Sequence, residues 1–265
     1  MTIPADITVQ TIQSRLTSRV IGRRLQVVAE IGSTNDAAAA AGHAGEPEGL
    51  AVVADRQASG RGRLGRAWAS LPGLGVYTSI LLRPDVPPLQ TPLLTILAGL
   101  ATADAVRGVG DVEPRLKWPN DVLIDGRKVA GILAEMATVG ERVAQVVVGI
   151  GINVHHRPED FPAEVRTTAT SLGQTAGRRV ERGEIVAALY NAFDKWYEVF
   201  SAGDRAAILA AARDRSATLG RPVTVISGPE RWQGTAVDLD EDGALLVVNG
   251  RGVTQRVLAA DVSIR

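Results

Sequence analysis

Six short apolar segments of strand type recur between residues 25 and 150, and they constrain the fold more than any other feature. Two of these segments, residues 122–124 and 129–136, flank Asp125-Gly126, a dipeptide typical of a two-residue β-hairpin turn. Strands joined by a hairpin are antiparallel, which argues against a purely parallel, doubly wound sheet. The other four segments are residues 25–31, 50–54, 75–82 and 143–150.

Segments with helical spacing lie between and after the predicted strands. The longest, residues 183–202, places Ile185, Phe193 and Phe200 on one face, which is typical of a helix packed on a core. We therefore predict an α+β fold in which helices pack on a mixed, largely antiparallel sheet. The other predicted helices are residues 8–20, 34–41, 89–106 and 204–213, and residues 173–183 are predicted to form a loop.

Local signals mark the two ends of the predicted helix 34–41. Ser33 with Asp36 fits a capping box at its start, and Gly42 fits its end.

The pattern changes at about Thr218, where four short alternating segments are separated by Gly, Asp and Asn turns. Such segments are typical of a small β-barrel. The sequence therefore predicts two domains, residues 1–216 and residues 217–265. The four segments are residues 223–226, 234–239, 244–248 and 253–257.

Composition predicts a globular protein without a broad charged face. The 265 residues are 45% hydrophobic and include 29 basic and 29 acidic side chains, which argues against nucleic acid as the default partner. The absence of cysteine excludes disulfides and thiolate catalysis. The N-terminus lacks the features of a signal peptide, and no apolar run approaches the ~20 residues of a membrane span. We expect a cytoplasmic protein with no membrane partner.

Residues 60–66 read Gly60-Arg61-Gly62-Arg63-Leu64-Gly65-Arg66. Glycines let the backbone lie close to a ligand, and guanidinium groups are planar, always-charged donors for carboxylate and phosphate oxygens. Between Asp55 and Asp85 the chain has five arginines and no acidic residue. The segment is predicted to bind an anion, although a solvated surface loop would explain such a short string about equally well.

A second charged motif contains Lys117, within Leu116-Lys117-Trp118-Pro119. The proline keeps the preceding residue out of helical geometry, so a strand is predicted to end here with the lysine pointing into a site. The plainer alternative is an edge-strand lysine that prevents sheets from associating. The neighbouring motifs favour the binding role.

Four further motifs accompany these two, and in this order the set resembles the biotin protein ligase family along nearly the whole chain. The resemblance implies a class II synthetase-like fold, the biotin–lipoate ligase fold, followed by an SH3-like barrel. The four motifs are Ser33-Thr34-Asn35-Asp36, Asp55-Arg56-Gln57, residues 128–135 and residues 149–154.

The resemblance also implies a two-step reaction. Biotin is activated by ATP to biotinyl-5'-AMP with release of pyrophosphate, and the biotinyl group passes to a lysine of a biotin carboxyl carrier protein domain. Bringing a carboxylate to a phosphate requires cationic groups, backbone amides and Mg²⁺ rather than an enzymic nucleophile. The three histidines, His43, His155 and His156, form no recognisable metal-spaced cluster, and His155 and His156 are interpreted as structural or surface residues.

By the same resemblance, Lys117 and Arg63 are the expected catalytic residues, with Lys117 bridging the biotin carboxylate and the α-phosphate. The oxygen of Asn153 is a possible neighbour of Mg²⁺. The expected biotin-binding residues are Ser33, Thr34, Asn35, Gln57, Gly60, Arg61, Gly62, Arg63, Lys117 and Gly131. The expected ATP-binding residues are Arg63, Arg66, Trp68, Lys117, Asn120, Lys128 and Asn153.

Two of these residues have structural alternatives. Trp68 could belong to the core, and Gly131 could mark a β-bulge.

Alternatives to the biotin ligase remain at this point. A lipoate ligase would share the sheet and the lysine, although its family does not typically carry the Gly-Arg-Gly-Arg segment. A catalytically silent biotin sensor and a nucleic-acid module are the non-enzymatic alternatives. Only about thirty residues precede Ser33, fewer than the ~60 of a small independent domain, so we expect neither a winged helix nor DNA binding. The sequence does not determine the oligomeric state.

Overall fold

Seven strands form one mixed sheet in the computed structural model, which describes residues 2–258 and 260–264. The first two strands run parallel, and all other neighbours run antiparallel, so the predicted sheet type is confirmed. The strands are β1 (Arg24–Ile31), β2 (Leu50–Gln57), β3 (Gly75–Leu82), β4 (Arg115–Lys117), β5 (Asp121–Ile124), β6 (Arg127–Val139) and β7 (Arg142–Asn153), and their order is β1-β2-β3-β7-β6-β5-β4.

The hairpin between β5 and β6 turns at the predicted dipeptide. Asp125 and Gly126 have φ values of 50° and 74°, the positive values that a tight type I′ turn requires. The turn lets Val122 pair with Ala130, and the two strands form one edge region of the sheet together with β4. Lys117 is the last residue of β4, as the sequence predicts.

The described residues form six α-helices, which pack on this sheet or on one another. The third is almost entirely buried, because residues such as Leu97, Ala101 and Val106 face apolar neighbours along its whole length. The helices are α1 (Val9–Gln13), α2 (Thr34–His43), α3 (Pro92–Gly110), α4 (Leu172–Ala176), α5 (Arg182–Ser201) and α6 (Arg205–Asp214).

The hydrophobicity of α3 corrects one expectation from the sequence. A helical stretch over Pro88–Gly110 is long and apolar enough to cross a membrane by length and composition alone, so the expectation that no apolar run approaches that length was wrong. The structure buries 78% of its apolar window within the protein. Its composition is that of a core helix.

Three local predictions differ from the structure. The first helix, predicted over residues 8–20, ends at Gln13. Asn191 and Asp194 of α5 accept hydrogen bonds from the backbone N–H groups of residues 17–21, which are therefore not available to a longer helix. Residues 173–183 are not simply a loop, because they contain most of α4. Gly42 lies inside α2 rather than at its end, where a Cβ would come within 2.1 Å of Gln145 Oε1.

The C-terminal region forms a separate antiparallel sheet of five strands, in the order β11-β10-β9-β8-β12. No pairing joins β11 to β12 within the described part of the chain, and β12 was not foreseen in the sequence. The strands are β8 (Pro222–Ser227), β9 (Glu230–Leu239), β10 (Leu245–Asn249), β11 (Thr254–Val257) and β12 (Asp261–Ile264).

The two sheets are packed together rather than separated by a linker. Trp118, directly after β4, donates from Nε1 to the Gly243 carbonyl at 3.0 Å and from its backbone N–H to Thr218 Oγ1 at 3.0 Å. One continuous buried apolar cluster includes Leu97 of α3 and Val225 of β8. The C-terminal sheet is thereby fixed against the end of β4, beside Lys117. The domain boundary between residues 216 and 217 stays a prediction from the sequence.

Candidate active site

A cavity of about 720 Å³ opens where the large sheet meets the C-terminal sheet. Fourteen of the fifteen predicted site residues line it, although they come from segments far apart in sequence. Gly60 is the exception, and it supports the wall instead, since a Cβ there would lie 2.6 Å from the Trp68 carbonyl. The fourteen are Ser33, Thr34, Asn35, Gln57, Arg61, Gly62, Arg63, Arg66, Trp68, Lys117, Asn120, Lys128, Gly131 and Asn153.

Glycines on adjacent strands form a flat floor for part of the cavity. Gly131 of β6 pairs directly with Gly151 of β7, and Gly149 lies two residues earlier in β7, opposite Leu133. The Trp68 indole lies against this floor, because a Cβ on Gly151 would be 2.5 Å from Trp68 Cε2 and one on Gly131 would be 2.9 Å from Trp68 Cζ3. Trp68 is therefore a cavity wall. Its Nε1 is buried and has no hydrogen-bond partner among the described residues.

One end of the cavity is closed by a buried polar network at the start of α2. Gln57 Oε1 accepts hydrogen bonds from Thr34 N at 2.8 Å and Thr34 Oγ1 at 3.0 Å, and Gln57 Nε2 donates to Ser70 Oγ at 3.0 Å. Ser79 Oγ lies 2.7 Å from Thr34 Oγ1 and 2.5 Å from Asn35 Oδ1. Neutral donors and acceptors held in this way suit an uncharged polar group of a ligand.

The start of α2 corrects part of the predicted capping box. Ser33 caps the helix by accepting from the Asp36 backbone N–H at 3.5 Å, but the Asp36 carboxylate does not return to Ser33. It accepts two hydrogen bonds from Arg61 instead, at 2.7 and 2.8 Å, and Glu135 adds a contact to Arg61 at 3.2 Å. The Arg61 guanidinium consequently holds the pKa of Asp36 below its ordinary value.

Two lysines share one carboxylate on the opposite wall. Lys128 Nζ lies 2.5 Å from Asp121 Oδ1, and Lys117 Nζ lies 3.6 Å from Asp121 Oδ2. Lys128 Nζ also lies 5.2 Å above the Trp68 ring, within cation–π distance. The chain contains only three lysines, the third being Lys195, so two of them line this cavity. Asp121 restrains both ammonium groups beside the same space.

The arginine loop, defined as residues 60–66, forms the outer wall. Arg63 lies with its Nη1 3.4 Å from Asn120 Oδ1 and 3.4 Å from the Ala260 carbonyl. Burial lowers its pKa, although Asp121 partly opposes this effect. Arg66 forms an ion pair with Asp261 at the start of β12. The loop is therefore held against both sheets.

Two asparagines have their side-chain amides fixed by backbone groups. Asn120 Nδ2 donates to the Ile132 carbonyl at 2.8 Å, just where β5 stops pairing with β6. Asn153 is buried and donates from Nδ2 to the Thr170 carbonyl at 3.1 Å. The side-chain oxygen of Asn153, Oδ1, is thus the group left available to a ligand.

Several residues of this site were not foreseen in the sequence analysis. They are chiefly the carboxylates that pair with the predicted cations, and one buried serine on β3. The sequence signal for Asp121 was present, since it stands four residues after Lys117 and two residues after the motif that contains Lys117. Glu135 ends the motif 128–135, so its position was marked although its pairing with Arg61 was not. Ser79 and Asp261 lie outside the motifs, and the sequence offers no local signal for them.

His155 and His156 lie outside the cavity, which agrees with their interpretation as structural residues. His156 is 1% exposed, stacks on Phe161 with ring centroids 5.1 Å apart, and has no partner for either ring nitrogen among the described residues. Burial lowers the pKa of His156 from 6.5 to about 4. Phe161 lines the cavity, so His156 supports its wall from behind.

Acidification should therefore destabilise the fold through His156. Its pKa in the folded state is below its unfolded value, so its neutral form contributes stability above about pH 6.5, and this is lost as the pH falls toward 4. Between about pH 7.5 and 5.5 we expect the wild type to lose about 1.4 kcal/mol more unfolding free energy than His156→Phe, which keeps the ring stack. Urea titrations at both pH values measure this, and equal losses in the two proteins would contradict it.

Comparison with known proteins places these features in a family. Residues 27–153 match the Biotin/lipoate A/B protein ligase family, and residues 218–265 match the Biotin protein ligase C terminal domain. The chain is 38% identical over 251 residues to the biotin--acetyl-CoA-carboxylase ligase of Mycobacterium tuberculosis, covering 91% of this chain and 88% of the relative. It is 34% identical over 261 residues to the bifunctional ligase/repressor BirA of Bacillus subtilis, covering 98% of this chain and 80% of the relative.

Solved structures give the same result. The biotin protein ligase from Aquifex aeolicus in complex with biotin and ATP superimposes with a TM-score of 0.77 at 31% identity, covering 92% of this chain and 99% of that one. Both the sequence matches and the fold agree with the predicted resemblance. The chain belongs to the biotin protein ligase family.

Proposed function

We propose that this ligase activates biotin with ATP and transfers the biotinyl group to a lysine of a biotin carboxyl carrier protein domain. One observation carries the proposal: a single cavity joins a neutral polar network at one end to Lys117, Lys128 and the arginine loop at the other. Such a cavity matches a ligand that has an uncharged polar ring at one end and a carboxylate that meets a nucleotide at the other. Biotin combined with ATP has this shape and charge.

The chemistry proposed for this cavity has two steps. A carboxylate oxygen of biotin attacks the α-phosphorus of ATP, and pyrophosphate leaves. The amine of the acceptor lysine then attacks the acyl carbon, loses a proton, and AMP leaves. Lys117 is suited to the first step, because its ammonium can approach both anions and offset their mutual repulsion.

The remaining residues are assigned by the chemistry of their ends of the cavity. Thr34, Asn35 and Gln57 offer neutral donors and acceptors to the ureido group of biotin, whose carbonyl and N–H groups need partners once they are buried. Trp68 offers a flat face to the nucleotide. Arg63, at the outer wall, is suited to retaining the adenylate.

Mg²⁺ is included in the proposal as a partner of the ATP phosphates. Residues 2–258 and 260–264 contain no group of three or more His, Asp or Glu side chains that could hold a metal ion. Mg²⁺ retains several waters and binds readily through phosphates and one or two protein oxygens. The side-chain oxygen of Asn153 fits the role of such a protein oxygen. The ion would neutralise phosphate charge there.

Exchange of labelled pyrophosphate into ATP tests the first step without the acceptor. Purified protein with Mg²⁺ is assayed with biotin, with lipoate and with no acid. Exchange with biotin alone supports the proposal, and exchange with lipoate alone would show that the protein activates lipoate instead. No exchange with any acid, from folded protein, would favour a silent biotin-binding protein. Transfer is then tested with a carrier domain.

Replacing Arg63 by glycine should increase escape of the adenylate. The substitution removes a charged group and its hydrogen bonds at the outer wall, so we expect release to rise about tenfold. Labelling of a lysine-rich bystander protein measures the escape. The ligase itself offers few competing amines, because Lys195 is its one lysine outside the cavity. Labelling confined to the carrier domain would argue against this role.

A further inference from the structure

The C-terminal sheet touches the arginine loop through one short segment. Asp261 forms an ion pair with Arg66 and lies 4.0 Å from Arg63 Nη1. Next to it, the Ala260 carbonyl lies 3.4 Å from both Nη1 and Nη2 of Arg63. Two of the three loop arginines are thus held by a segment about 200 residues away in sequence.

We infer that Asp261 is a positioning residue that holds the arginine loop over the cavity and thereby slows release of the bound adenylate. The inference rests on the proposed function for the ligand, but the restraint on the loop does not depend on it. Asp261 acts through Arg63 and Arg66.

The Asp261 carboxylate stands on a rigid support. It is the first residue of β12 and pairs with Ile226 of β8, so its backbone position is set by the sheet. Its side chain is 19% exposed, less than a typical surface carboxylate. An ion pair made from a fixed, half-buried carboxylate loses less side-chain entropy than one between two mobile groups.

The loop, by contrast, has little packing of its own. Leu64 is 69% exposed and has a φ of 56°, in the left-handed region that leucine rarely adopts. Within the loop, a backbone hydrogen bond joins Gly62 N to the Arg66 carbonyl at 2.7 Å. Arg61 is held at the other end by Asp36 and Glu135. Carboxylates at both ends, rather than apolar contacts, therefore keep the loop in place.

Removing the charge of Asp261 leaves Arg63 and Arg66 close to each other without this carboxylate. The two guanidiniums repel, and Arg66 already contributes to the lowered pKa of Arg63. The end of the loop nearest the C-terminal sheet should then move away more often. Since Arg63 is the residue assigned to hold the adenylate, its departure opens the route by which the adenylate escapes.

Asp261→Asn tests the inference with two readouts. The first is the rate of trypsin cleavage at the loop arginines in ligand-free protein, which does not depend on the proposed function. The second is the rate at which preformed biotinyl-AMP leaves the protein. Asp238→Asn is the matched control, because Asp238 pairs with Arg213 at 2.6 Å on the same sheet but does not line the cavity. Asp261→Glu keeps the charge.

We expect Asp261→Asn to raise both rates about fivefold, with Asp261→Glu and Asp238→Asn within about twofold of the wild type. In an Arg66→Gln background, Asp261→Asn should add much less to the cleavage rate, because its main partner is gone. Unchanged rates in Asp261→Asn, or an equal rise in Asp238→Asn, would overturn the inference. If the wild type forms no adenylate, the proposed function fails, while the cleavage rates still decide whether Asp261 holds the loop.

Discussion

Lys117→Ala is expected to reduce biotin-dependent pyrophosphate exchange by about 10³-fold while leaving the protein folded. The reaction brings a carboxylate against a phosphate, and two unit negative charges 4 Å apart repel by about 4 kcal/mol at an effective dielectric constant of about 20. Lys117 is positioned to offset this repulsion, because its ammonium lines the cavity and is restrained by Asp121. An energy of about 4 kcal/mol corresponds to about 10³ in rate.

The loss should appear mainly in kcat rather than in binding of biotin, since the repulsion is largest as the two anions meet. Lys195→Ala is the matched control, because Lys195 is exposed on α5 and does not line the cavity. Lys117→Arg tests geometry, since it keeps the charge but spreads it over a planar group. Exchange by Lys117→Ala within tenfold of the wild type would remove Lys117 from the reaction.

The fold was predictable from the sequence where local chemistry sets the structure. Asp125-Gly126 specifies a turn that few other dipeptides form, and the apolar runs on either side of it become paired strands. The start of α2 at Thr34 was equally readable, because Ser33 caps it. These features depend on neighbours within a few residues.

The fold was not predictable where distant groups compete for the same backbone. The first helix stops at Gln13 because α5, more than 170 residues away, supplies acceptors to the N–H groups that would have continued it. Strand β12 has only four residues and gains its stability from β8, so its sequence carries little pattern of its own. Gly42 looked like a helix end but serves close packing against Gln145.

The candidate site divides in a similar way. Motif residues could be assigned from the sequence because the family resemblance supplies them, and the structure gathers nearly all of them around one cavity. The carboxylates that balance their charge were missed. Glu135 ends the motif 128–135 and Asp261 lies outside every motif, and only the three-dimensional fold brings these carboxylates to Arg61 and Arg66. Cationic side chains in a motif indicate an anion-binding site, but the carboxylates that restrain these side chains are identified only once the fold is known.

A second large effect is expected far from the cavity, at a buried arginine. Arg182, the first residue of α5, is 1% exposed and donates to Asp6 at 2.7 and 2.9 Å and to Asp55 at 2.6 Å. A further contact joins it to the Gly75 carbonyl at 3.3 Å. The guanidinium holds the pKa of Asp6 below its ordinary value of 3.8. This cluster ties the N-terminal segment to the strands that lead into the site.

Arg182→Met should lower the free energy of unfolding by about 3–5 kcal/mol, because the buried Asp55 and the largely buried Asp6 lose their shared cation. Asp55 lies two residues before Gln57 and also accepts from Gly73 N at 2.9 Å, so the substitution should weaken biotin binding as well. Urea denaturation at neutral pH measures the first effect. The contribution of Asp6 is present above pH 3.8 and is lost as the pH falls through its depressed folded-state pKa, so the difference between the proteins should shrink in strong acid.

Arg213→Met provides the matched control for this large effect. Arg213 pairs with Asp238 at 2.6 Å, the same distance as Arg182 with Asp55, but the side chains of Arg213 and Asp238 are 39% and 47% exposed. Solvent screens that pair and hydrates the carboxylate that remains, so its loss should cost less than about 1 kcal/mol. The contrast isolates burial from ion-pair geometry. A loss below about 1 kcal/mol for Arg182→Met would mean that water or backbone groups satisfy Asp6 and Asp55 without the arginine.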